Sequence, residues 1–324
     1  MTALLILMIL TALVLGISFY TYHTAFYSPG RNRPRPEDPL TDPQYEAVAD
    51  HLFRMTAVMK KIPFEPVTIT SRDGLKLYGR YYHVKDGAPV ELLFHGYRSC
   101  AFRDCSGGHA LSRKMGFNSI VVDQRSHGES GGNTITFGIR ERFDCLLWIE
   151  YARSRFGPDT PIILSGLSMG AATVLMASGL ELPENVQCII ADSPFSAPAS
   201  IIEKVCGDLH YPVALCRPFL HLGARIFGRF RLNECTAKDA VRNAKVPILL
   251  IHGEEDHFVP CEMSHDIAAC CASPVTVHTF PGAGHGLSYL IDPLRYERVI
   301  YEFLCKIPKL KDEIREEFVR QLSE

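Results

Sequence analysis

The apolar and polar positions of this chain fall into three regimes. From Thr2 to Tyr22 no charged residue occurs, and Leu, Ile, Val and Ala dominate. About 20 such residues in a helix match the hydrocarbon thickness of a bilayer, so the run predicts a membrane-crossing helix. Tyr20, Tyr22, Phe26 and Tyr27 form a belt of the kind found at headgroup level. Ser28 to Pro43 is rich in proline and charge, which predicts an extended tether. Beyond it, Tyr45, Val48, Leu52, Met55 and Met59 recur at helical spacing. Alternating runs then flank Ser71-Arg72-Asp73-Gly74, and an Asp-Gly turn between two such runs predicts a hairpin.

From Val90 the pattern changes to short apolar runs separated by helical stretches. Strands are expected at 90–94, 118–122, 161–165, 186–191, 246–251 and 275–280. Helices are expected at 106–115, 137–156, 261–271 and from 293 onward. Such alternation predicts an α/β fold: a mostly parallel central sheet with helices on both faces. Only the stretch from Phe195 to about Lys245 breaks it, with helical spacing and no strand pattern. A long insertion in a compact domain is commonly functional, and this one is expected to form a helical lid arching over the sheet. The predicted organisation is thus an anchor over 1–27, a tether over 28–43 and a domain over 44–324 with its lid at about 195–245.

Composition adds constraints. With 22% charged residues and a formal net charge of −2, nothing favours nucleic acid as a partner. The 11 cysteines are odd in number and lack C-x-x-C spacing, which suits reduced thiols rather than a disulfide framework. Neither Cys100/Cys105 nor Cys270-Cys271 has histidines at ligand spacing, and there is no dinucleotide fingerprint, so neither metal nor cofactor is expected. No pattern specifies an oligomeric state. No Lys or Arg precedes the apolar run, and Thr24-Ala25-Phe26 is a poor cleavage site, so an uncleaved single-pass anchor is expected over a signal peptide. Arg31, Arg33 and Arg35 follow the run, which by the positive-inside rule places the catalytic domain in the cytoplasm. A chain beginning near Pro43 is then expected to be soluble and active.

The candidate chemistry lies just after the expected strands. Pro161 to Gly170 reads PIILSGLSMG and continues into small and apolar residues. A buried strand, a turn too tight for bulky flanks and a helix make a G-x-S-x-G nucleophile elbow, with Ser168 as nucleophile. A serine hydroxyl needs a base. His285 lies in Gly-Ala-Gly-His-Gly after the last strand, C-terminal to the serine as the Ser, acid, His order requires. Asp256, in Gly253-Glu-Glu-Asp-His-Phe-Val-Pro260, has the register of the acid; Glu254, Glu255 and Asp192 compete. The oxyanion hole is expected from the N–H groups of Met169 and of Tyr97, in the loop His95-Gly96-Tyr97-Arg98.

The set HGY, DQRSHGES, GLSMG, GEEDHFVP and GAGH, in this order, resembles the α/β-hydrolase superfamily. More narrowly, it is similar to bacterial single-pass membrane-anchored serine hydrolases of the peptidase/esterase branch. Ser126 departs from it, standing where many relatives have glycine. The resemblance implies an esterase-type hydrolase with an acyl-enzyme intermediate and a small acyl or amphiphilic substrate. An acyltransferase, thioesterase or peptidase would use the same triad, whereas a non-catalytic binding module would keep only the fold.

Overall fold

The computed structural model describes residues 1–30 and 33–323. Arg31, one of the arginines behind the orientation argument, lies outside the described residues.

Eight strands form one sheet: β1 (Glu65–Thr70), β2 (Lys76–Tyr82), β3 (Val90–Phe94), β4 (Asn118–Asp123), β5 (Ile162–Leu167), β6 (Val186–Asp192), β7 (Ile248–Gly253) and β8 (Val275–Phe280). Their order is β1-β2-β4-β3-β5-β6-β7-β8. The β1/β2 hairpin predicted at the Asp-Gly turn joins the sheet antiparallel to β4, and every pair from β4 to β8 is parallel. The chain leaves β3 for β4 on one side and returns to β5 on the other. The carboxyl ends of β3 and β5 therefore flank the crevice where such sheets bind ligands.

The helices are α1 (Thr2–Ala25), α2 (Ala49–Lys61), α3 (Ala101–Asp104), α4 (Ser106–Met115), α5 (Glu141–Phe156), α6 (Met169–Ala177), α7 (Pro198–Asp208), α8 (Val213–Ile226), α9 (Ala237–Ala240), α10 (Glu262–Ala268), α11 (Ser288–Ile291), α12 (Pro293–Leu304), α13 (Pro308–Lys311) and α14 (Glu316–Ser323). Side chains alternate across a strand, so each central strand feeds two cores. Leu92 and Phe94 of β3 and Leu164 of β5 pack with Trp148 of α5 and Val174 of α6. Ile163 of β5 and Ile251 of β7 pack with Leu111 of α4 and Phe303 of α12 on the other face.

Two expectations shift. α5 begins at Glu141 rather than Phe137, because Phe137 and Gly138 have positive φ and their turn is capped by the Glu141 carboxylate. That carboxylate accepts the N–H groups of Thr136 and Gly138, each at 2.9 Å.

The second shift concerns the N-terminal segments. α1 is long and apolar enough to cross a membrane, with a mean hydropathy of 2.6 over its best window. Its final turns are docked on the domain: Tyr22 is buried, and Phe26 just beyond α1 lies edge-on to Phe137 and Phe230 at 5.8 and 5.2 Å. Phe26 and Ser28 exchange backbone hydrogen bonds with Ile135 and Asn133. The described part of the Pro-rich segment turns at Arg35–Asp38 and is fastened to the domain. The Arg33 guanidinium donates to the carbonyls of Gly128 and Gly132, each at 2.7 Å, and also to that of Ser130. It is part of the domain surface rather than a loose tether.

Candidate active site

The turn after β5 shows why glycine flanks Ser168. Ser168 has φ 54° and ψ −113°, outside the regions that L-residues favour. The turn is so tight that a Cβ on Gly166 would overlap the Gly170 backbone, and one on Gly170 would overlap the Phe94 carbonyl. Such strain is held only where the surroundings over-determine it. Here the Ser168 N–H donates to the Asp192 carbonyl at 2.8 Å, and its carbonyl accepts from Ala172 at 2.9 Å. The hydroxyl is thereby set at the N-terminus of α6.

Three of the residues singled out in the sequence meet there. His285 Nε2 lies 2.8 Å from Ser168 Oγ, and His285 Nδ1 lies 2.6 Å from Asp256 Oδ2. The Asp256 side chain is fully buried, and its other oxygen accepts the N–H groups of Phe258 at 3.0 Å and Val259 at 2.7 Å. His252 Nε2 approaches Oδ2 at 3.2 Å. Burial by itself would raise this carboxyl's pKa. The hydrogen bonds from His252 and His285 outweigh it, and the group is held well below the usual carboxylate range. Asp256 is therefore an anion at neutral pH.

The competing acids go elsewhere. Glu254 accepts the Thr279 hydroxyl at 2.6 Å, and Asp192 accepts those of Ser193 at 3.0 Å and Tyr296 at 3.1 Å. The other histidines near the crevice have structural partners. His95 Nε2 accepts the Gln124 N–H, and His127 Nε2 accepts the Arg98 N–H. Burial lowers the His127 pKa far below its ordinary value, so this ring is a neutral acceptor.

Beside Ser168 runs the loop after β3. Gly96 N–H donates to Asp104 Oδ2 at 2.8 Å and Arg98 N–H to His127 Nε2 at 3.0 Å. Among the described residues the Tyr97 N–H between them has no partner, and neither has the Met169 N–H. A cavity of about 370 Å³ opens on Ser168 and His285. It is walled by apolar side chains that include Leu93, Leu111, Met115 and Ile190.

The family model described as "Alpha/beta hydrolase family" matches residues 92–299. The chain belongs to the alpha/beta hydrolase family. The uncharacterised protein YqkD of Bacillus subtilis is 23% identical over 254 residues, covering 78% of this chain and 82% of YqkD. Protein bem46 of Schizosaccharomyces pombe is 25% identical over 224 residues, covering 68% and 69% of the two chains. Among solved structures, the Pyrococcus furiosus esterase Pf2001 superimposes with a TM-score of 0.64 at 21% identity, covering 85% of this chain and 97% of that one.

This hydrolase departs from the expected lid. The 195–245 insertion is helical, as α7 and α8, but no residue from 196 to 245 lines the cavity. Its cover comes from the N-terminal side: Pro39, Leu40, Gln44 and Tyr45, with Leu52 and Met55 of α2. Gln44 reaches furthest, its Oε1 accepting the His285 N–H at 2.8 Å. The end of α1 also braces the β3 loop. Tyr97 Oη donates to the Ala25 carbonyl at 2.8 Å, and Arg98 donates to those of Thr24 at 2.7 Å and Tyr27 at 3.1 Å. Arg98 has the loop-bracing place that its position beside Tyr97 suggests, whereas Gln44 and the end of α1 were missed as site components because no local pattern marks them. A chain starting at Pro43 keeps Gln44 but loses the carbonyls of Thr24, Ala25 and Tyr27 that hold Tyr97 and Arg98, together with Pro39 and Leu40 of the cavity wall. Misplacement by about 1 Å can cost roughly 10²-fold, so its kcat/KM on a water-soluble ester is expected to fall about 10- to 100-fold. Kinetics on a water-soluble ester, with circular dichroism confirming the fold, checks this; full activity would show that the bracing is idle.

Asp192 supplies a pH test. Burial raises its pKa from 3.8 to about 6, ahead of the opposing Ser193 hydrogen bond. A carboxyl raised in the folded state stabilises below the unfolded pKa, and that contribution is lost as pH rises through the folded one. Between pH 4 and pH 7 the wild type is expected to lose about 2–4 kcal/mol relative to Asp192→Asn, at 1.36 kcal/mol per unit. Unfolding curves of both proteins at the two pH values check this; a constant difference would refute it.

Proposed function

We propose that this chain is a membrane-anchored serine hydrolase that cleaves a carboxylic ester through an acyl-enzyme. The observation that carries the proposal is the continuous hydrogen-bond chain Ser168–His285–Asp256 beside two unpartnered backbone N–H groups. Ser168 Oγ attacks the acyl carbonyl while His285 Nε2 takes its proton. The buried Asp256 anion keeps the proton of neutral His285 on Nδ1 and stabilises the imidazolium. The N–H groups of Tyr97 and Met169 receive the oxyanion, where fixed donors are worth more than in water. His285 returns the proton to the leaving alcohol. Water, activated by the same imidazole, then attacks the acyl-enzyme and releases the acid. The apolar walls suit the acyl part of a small or amphiphilic ester.

The uncharged stretch of α1 supports anchoring, and the arginines after it support a cytoplasmic catalytic domain. The test is labelling of the full chain in detergent with a fluorophosphonate probe. Labelling at Ser168, competed by a p-nitrophenyl ester, is expected. No labelling, or labelling elsewhere, would overturn the assignment.

A further inference from the structure

Beyond residue 25, nine large apolar side chains are exposed among the described residues, and four lie in one 18-residue stretch: Leu209, Tyr211, Leu215 and Ile226. They belong to the insertion that contributes nothing to the cavity lining. Leu215 and Ile226 are 67% and 43% exposed. Eleven residues is about three helical turns, so they share one side of α8, while Leu220 and Ala224 on the opposite side are buried in the core.

The neighbour of this exposed side is α1. A Cβ on Gly223 would overlap the Ser18 carbonyl, so the two backbones approach as closely as a glycine allows. Thr21 Oγ1 donates to the Phe219 carbonyl at 3.1 Å, and Phe19 meets Phe227 edge-on at 5.1 Å. Residue numbers on α1 rise as those on α8 fall, so the helices run in opposite directions. Tyr22, which also meets Phe227 at 5.9 Å, belongs to the aromatic belt at the end of the apolar run, which places the apolar side of the insertion at the same level.

We infer that the α7–α8 insertion rests in the lipid headgroup boundary beside α1, so that two elements hold the domain at the bilayer. The inference rests on α1 being a membrane anchor. Lipid is the occupant because the exposed apolar side continues that of α1 and is edged by the exposed Arg225 and Arg229. Cations beside an apolar helix face are the usual composition of a helix lying on anionic lipid. Arg217 is paired with Glu203 at 2.7 Å and belongs to the domain side.

The test is bromolipid quenching of an added tryptophan in the full chain, reconstituted in phosphatidylcholine and phosphatidylglycerol vesicles. The native Trp148 is fully buried and gives a constant background. Leu215→Trp and Ile226→Trp report on the insertion, Leu10→Trp on the anchor, and Leu294→Trp, 69% exposed in the wild type, on an apolar position elsewhere. With α8 seated about 5–10 Å into the headgroup boundary, the added emission at positions 215 and 226 is expected to fall about two-fold, and that at 294 to be unchanged. If position 10 is quenched while 215 and 226 behave like 294, the anchor stands and the inference fails. If position 10 is not quenched, the anchor reading fails and takes the inference with it. A blue shift at 215 and 226 without quenching would mean that a second copy of the chain covers the patch, which also overturns the inference.

Discussion

Replacing Ser168 with alanine is expected to lower ester hydrolysis by about 10⁴- to 10⁶-fold while leaving the fold intact. The substitution removes one atom, the Oγ that lies 2.8 Å from His285 Nε2. The backbone demand is unchanged, because alanine at φ 54° carries the same Cβ penalty as serine. The clashes that define the turn involve Gly166 and Gly170 rather than position 168. Residual catalysis would come from the backbone donors and substrate binding alone. No neighbouring thiol can substitute: burial, reinforced by Asp104, pushes the Cys100 thiol up to about 11, and burial likewise raises Cys105 well above its ordinary value. Steady-state kinetics and fluorophosphonate labelling, read beside thermal unfolding, test this. Activity surviving at about a tenth of wild type would remove Ser168 from the mechanism.

The second large effect is expected at Asp256. Every contact to its carboxylate comes from a donor: His285 and His252 at Oδ2, and the N–H groups of Phe258 and Val259 at Oδ1. An asparagine there has one amide nitrogen to place. Against the two backbone N–H groups it would face donors with donors, so the carbonyl stays on that side and the amide turns to His285. The imidazole must then present a lone pair at Nδ1, which moves its proton to Nε2, facing Ser168. That tautomer cannot accept the serine proton. Asp256→Asn is therefore expected to reduce kcat by roughly 10⁴-fold with little change in KM. Glu255→Gln serves as the control and is expected to stay within about two-fold, since exposed substitutions away from such features change little. Comparable loss from Glu255→Gln would shift the acid assignment to Glu255.

Much of this architecture was legible because its causes are local. The uncharged run of α1, the Asp-Gly hairpin and the apolar strands each carry a periodicity or composition that a short window reveals. The elbow was legible for the same reason. Its strain is confined to Gly166 through Gly170, and only small flanks allow it. The C-terminal positions of Asp256 and His285 followed from chain order along a parallel sheet, whose loops all open at one edge.

What only the tertiary structure decided lies in contacts between distant stretches. Asp256 was separated from Glu254, Glu255 and Asp192 by which carboxylate faces the imidazole, a matter of where the β7 loop packs against the β8 loop. Gln44 precedes its partner His285 by 241 residues, and Arg33 caps carbonyls almost a hundred residues away. Such pairings have no period and no motif; they exist because packing brings two surfaces together and buried polar groups must then find partners. The cover over Ser168 was decided in the same way. Residues 39–55 and the helical insertion are both amphipathic, and each had an apolar side to bury. The final turns of α1 occupy the surface of α8, reached through Gly223, while the crevice is covered by the segment from Pro39 to Met55. The amphipathic pattern determined that both segments must pack; only the three-dimensional arrangement decided against what.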